Sequence, residues 1–74
     1  MKKRRSEDIL ILCGERLKVL RKERGLTQEG ISDLLRMDFS QYGKIERGQT
    51  NITLSTLNDI ANALEVPIAE LLNF

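Results

Sequence analysis

Apolar residues recur at spacings of three and four along most of the chain. Ile9, Leu10, Cys13, Leu17 and Leu20 form one such stripe, the period of a long first helix with one buried face. Ser6 is placed to cap it, and Glu7 and Asp8 suit its first turn. Arg21, Lys22 and Arg24 crowd its last turn before Gly25, a natural residue beyond a helix end. Thr27 caps a short second helix, about Gln28 to Leu35, with Ile31, Leu34 and Leu35 turned inward and Leu26 placed to staple against Ile31. Arg36 and Met37 make a tight turn. Asp38 caps a third helix from about Phe39 to Arg47, with Tyr42 and Ile45 inward, and Gly48 stops it. Thr53 caps a fourth helix whose inward set is Leu54, Leu57, Ile60, Ala61 and Leu64. Pro67 suits the first position of a last short helix carrying Ile68, Leu71 and Leu72. No segment alternates with period two. The expected fold is therefore all-α, with five helices in one domain over residues 6–74 and a basic arm at residues 1–5.

Composition narrows the function classes. The chain has 74 residues, one cysteine and no histidine. No disulfide forms within it, and a zinc site built on Cys and His is excluded. No cofactor is expected, and no nucleophile and base stand together to suggest an enzyme. Cys13 reads as a small buried hydrophobe. Met1 to Arg5 resembles the start of a signal peptide, but Ser6-Glu7-Asp8 follows and the next apolar run is only Ile9 to Cys13. No stretch is long enough to span a membrane. A cytoplasmic protein with no membrane partner and no small-molecule ligand is expected. The net charge of +1 conceals an asymmetry: residues 1–47 hold all 12 Lys and Arg against eight acids, and residues 48–74 hold three acids alone. A basic N-terminal half facing a polyanion is consistent with that split.

Two short helices separated by about three residues have helix-turn-helix spacing. Around them, Leu17-Lys18-Val19-Leu20-Arg21-Lys22-Glu23-Arg24-Gly25-Leu26-Thr27-Gln28, Lys44-Ile45-Glu46-Arg47-Gly48, Leu54 to Leu64, Val66-Pro67 and Glu70-Leu71 follow in order. With these pieces, residues 14–72 resemble the Cro/CI-type helix-turn-helix domains, the XRE family. Gly43 and Asn51-Ile52-Thr53-Leu54 are also similar to restriction–modification controller proteins. The resemblance implies a five-helix lambda-repressor-like fold and a sequence-specific double-stranded DNA-binding transcription regulator, a repressor or activator acting as a homodimer on a palindromic operator. It further implies that Arg21 and Glu46 pair to tie the first helix to the third. Arg36 stands where many members carry glycine, Gly30 replaces a usual helix former, Ser32 takes the place of a common alanine at the helix contact, and Phe39 replaces a usual polar residue.

The family geometry puts DNA base contacts at Phe39, Ser40, Gly43 and Lys44, with Gln41 at their flank. The chemistry fits a major groove. Lys44 donates to guanine O6 and N7, Ser40 donates or accepts, and Phe39 packs on a thymine methyl group. Gly43 either lets the backbone come close or merely weakens the helix. Gln41 has three candidate targets: a base, a phosphate or the dimer partner. Gln28 resembles the family's phosphate-binding glutamine beside a helix N-terminus. Arg47, Gln49, Thr50 and Asn51 are further phosphate candidates. The Lys2-Lys3-Arg4-Arg5 arm either adds attraction to DNA or is a solubilising tail. Ile68, Leu72 and Phe74 form the candidate dimer interface. The competing reading is a protein-interaction module or antitoxin that uses the same fold to bind a partner protein.

Overall fold

The computed structural model describes residues 6–74, with side chains from Asp8 onward; the basic arm and the Ser6 cap expected from sequence lie outside the described side chains. Five helices follow one another: α1 (Ser6–Glu23), α2 (Gln28–Leu35), α3 (Phe39–Glu46), α4 (Leu54–Leu64) and α5 (Ile68–Leu71). No strand occurs among the described residues. Helix α1 packs on α3 and α5, α2 packs on α3 and α4, and α4 packs on α5. Leu17, Ile31, Tyr42, Ile60, Leu64 and Leu71 sit fully buried where these contacts converge.

Local chemistry sets the helix ends. Thr27 accepts a hydrogen bond from the Gly30 amide at 2.9 Å, and Thr53 accepts from the Thr56 amide at 3.0 Å. Each satisfies one orphan donor of a first turn. Gly25 lies in the left-handed region beyond α1, as expected. Arg36 does the same at φ 54°, in the turn where the family often has glycine, and Glu65 follows at φ 58° after α4. A side chain in that region costs about 1–2 kcal/mol.

Several expectations are corrected. Asp38 is the N-cap residue of α3, but its side chain makes no capping hydrogen bond. Pro67 is the N-cap of α5 rather than its first residue. Helix α3 ends at Glu46, with Arg47 as its cap. Three residues assigned inward are exposed: Ile9, Leu34 and Leu54, the last 74% accessible. Ile9 and Leu54 lie in first turns, where the neighbouring helices no longer cover them. In α2 the buried pair is Ile31 and Ser32. The small Ser32 is fully inside, with its hydroxyl returned to the Glu29 carbonyl at 2.9 Å. This turns the helix so that Leu34 points outward.

Candidate DNA-reading face

Helix α3 has two sides. Tyr42, Ile45 and Glu46 are buried, whereas Phe39, Ser40, Gln41 and Lys44 are exposed. The buried side is held by charge as well as by packing. Arg21 of α1 donates from Nε to Glu46 Oε2 at 2.6 Å and from Nη2 to Oε1 at 3.2 Å. Its Nη1 donates to the Leu26 carbonyl at 2.7 Å. Both partners are more than nine-tenths buried. A buried pair of this kind specifies geometry more than it adds stability, and removal of one partner strands the other charge.

The sequence resemblance implied the Arg21–Glu46 pair; it did not reveal a third member. Gln28, the first residue of α2, donates from Nε2 to Glu46 Oε1 at 2.9 Å. One carboxylate thus links α1, α2 and α3. Burial drives the Glu46 pKa upward, but hydrogen bonds from Arg21 and Gln28, the nearby Tyr42 hydroxyl and the Arg21 charge outweigh it and leave the carboxyl below its ordinary value. The hydrogen bond to Glu46 raises the Arg21 pKa in turn. Burial, then the neighbouring Glu46, pushes the Tyr42 phenol up. The Tyr42 hydroxyl is buried and lacks a well-aligned hydrogen-bond partner.

Phe39, Ser40 and Lys44 share the open face of α3. Gln41 lies at its edge, in a shallow groove with Thr50 and Asn51 of the following loop. Gly43 is covered: a Cβ there would stand 2.8 Å from Arg47 Nη1 and 3.6 Å from its Cζ. The Arg47 guanidinium therefore lies across the helix at Gly43, and its Nε donates to Gln49 Oε1 at 2.9 Å. Sequence reading missed this contact, although the spacing of four between Gly43 and Arg47 is a signal from which it could have been found. Gln28 keeps a second amide N–H for an outside acceptor after its bond to Glu46. Gln49 and Asn51 are exposed and Thr50 is half-buried, beyond the left-handed Gly48. Helix α5 is fastened to α1 by Arg16, which donates to the Glu70 carboxylate at 2.7 Å and to its carbonyl at 2.9 Å. Ile68, Leu72 and Phe74 remain exposed there.

A helix locked on one side, open on the other and preceded by a short helix across a tight turn is the reading unit of a helix-turn-helix protein. The helix-turn-helix family profile matches residues 17–71, and the chain belongs to this family as an XRE-type transcription regulator. It is 38% identical over 65 residues to the control protein C.MunI from a Mycoplasma species, covering 86% of this chain and 88% of that protein. It is 39% identical over 56 residues to the immunity repressor of Bacillus phage phi105, covering 76% of this chain but only 39% of the repressor. The crystal structure of the restriction–modification controller C.AhdI from Aeromonas hydrophila superposes with a TM-score of 0.81 at 40% identity, covering 84% of this chain and 94% of that one. These relatives are regulators and controllers rather than enzymes.

Proposed function

We propose that the chain is a small cytoplasmic regulator that binds a palindromic operator as a homodimer, with residues 6–74 as the DNA-binding domain and residues 1–5 as a basic arm. The open face of α3, held rigid by the Arg21–Glu46–Gln28 network, carries this reading. Phe39, Ser40, Gln41 and Lys44 form the side turned to the bases, and Gly43 lies beneath the Arg47 guanidinium. Gln28, Gln49, Thr50 and Asn51 flank it as phosphate contacts, and Arg47 lies across Gly43 between the two sets. Two copies place their α3 helices about 34 Å apart, one turn of the duplex. The exposed Ile68, Leu72 and Phe74 support pairing through α5. The likeness to the controllers C.MunI and C.AhdI, at 38% and 40% identity, supports a controller's role.

Binding to duplex DNA across a salt series tests the proposal. Affinity falls by about a thousandfold or more between about 50 and 200 mM salt if six or more phosphates are engaged. Lys44→Ala costs about 1–3 kcal/mol at the preferred site and relaxes one base position. A folded protein that ignores every duplex, yet captures a protein partner with little salt dependence, identifies the interaction-module reading instead.

A further inference from the structure

We infer that Arg47 is a base-reading residue, and that Gly43 is the device that aims it; this rests on the DNA-binding reading above. Three observations carry the inference. Arg47 closes α3 with helical backbone angles, φ −83° and ψ −1°, so its side chain continues the pattern of the helix. At about 100° per residue, positions 40, 44 and 47 fall on one stripe. Ser40 and Lys44 are exposed in the middle of the open face, and Arg47 completes their row.

Long side chains on a helix lean back toward its N-terminus, over the preceding turn. For Arg47 that turn is occupied by Gly43. A Cβ at position 43 would stand 2.8 Å from Nη1, closer than such atoms approach, so any side chain there makes the guanidinium shift from the place that glycine leaves it. The charge is thereby brought back from the end of α3 toward the part that enters a groove. Gln49 then takes Nε at 2.9 Å and fixes the plane of the group. The fork that remains, Nη1 and Nη2, is the donor pair that matches O6 and N7 of guanine. The same fork also engages a phosphate bidentately; what assigns it to a base is its place in the row of Ser40 and Lys44, drawn back from the end of α3.

Selection of bound sites from a random duplex library tests this with the wild type, Arg47→Lys and Gly43→Ala, each first checked for folding by thermal melting. Arg47→Lys keeps the charge but not the fork. It should lower the preference for one guanine per half-site by about tenfold while leaving non-specific affinity and its salt dependence in place. Gly43→Ala displaces the guanidinium and should weaken the same position with Arg47 intact. It should also fold, because the Cβ meets only the far end of a flexible side chain. Unchanged base preferences in both variants, with all sequences weakened equally, would overturn the inference and return Arg47 to the phosphates. A wild type that enriches no site at all defeats the underlying DNA-binding reading as well, and the wild-type lane distinguishes that outcome from the first.

Discussion

Gly14 is the point where the reading helix is set against the rest of the domain, and Gly14→Ala should shift it. The residue is buried in α1, facing the end of α3. A Cβ at this position would lie 2.2 Å from the Glu46 carbonyl oxygen and 2.8 Å from both the Glu46 carbonyl carbon and the Ile45 oxygen. All three are backbone atoms, which no rotamer change moves aside. An ordinary carbon–oxygen approach is about 3.3–3.6 Å, so the two helices must separate by about 1 Å. Forcing extra volume into a close-packed contact costs about 1–3 kcal/mol. The cost here lies at the upper end, because the displaced Glu46 also holds Arg21 and Gln28. The better helix propensity of Ala returns about 1 kcal/mol. A net loss of about 1–2 kcal/mol is expected. For a domain of 74 residues, whose total stability is of order 4–11 kcal/mol, that is a sizeable fraction. It corresponds to a fall in Tm of roughly 5–15 °C. Urea titration followed by circular dichroism reads the loss directly. DNA affinity should fall further than the unfolded fraction explains, because α3 is tilted in the molecules that remain folded. Gly14→Ala as stable as the wild type, with full affinity, would refute the account of how α1 positions α3.

Other expectations follow from single residues. Arg36→Gly relieves a left-handed arginine and should raise stability by about 1 kcal/mol in the same titration; a loss would mean that the arginine side chain contributes more than the backbone strain costs. Because the Glu46 carboxyl is held below its ordinary value of 4.5 in the folded state, its contribution is present above about pH 4.5 and disappears as pH falls through the lowered folded value. Acid titration of Glu46→Gln should lack that component, and equal pH dependence in both proteins would argue against the network as a stabiliser. The paired change Leu72→Lys with Phe74→Lys should yield a folded monomer by sedimentation, since both side chains are exposed; a persisting dimer would place the interface elsewhere. Truncation before Pro67 is a poorer test, because it removes the fully buried Leu71 whose carbonyl accepts from Cys13 Sγ at 4.0 Å.

The sequence by itself determined the five helices, because each carries its own local signals: periodic apolar residues, a threonine before α2 and α4, and a glycine after α1 and α3. It also determined the family and the sides of α3, since Tyr42 and Ile45 repeat at helical spacing. Periodicity, however, reports only that a residue shares a face with others, and not whether a neighbour covers that face. Leu34 and Leu54 therefore read as core and proved exposed, while Ser32, which the family resemblance put at the helix contact, is buried. The family resemblance implied one contact between distant segments, Arg21 with Glu46; tertiary structure alone decided the others. Gln28 and Glu46 are 18 positions apart, and Gly14 meets Glu46 across 32; neither spacing carries any local signature. Those contacts arise from how α1 and α2 cross α3, and that crossing depends on every packed side chain at once rather than on any one stretch of chain.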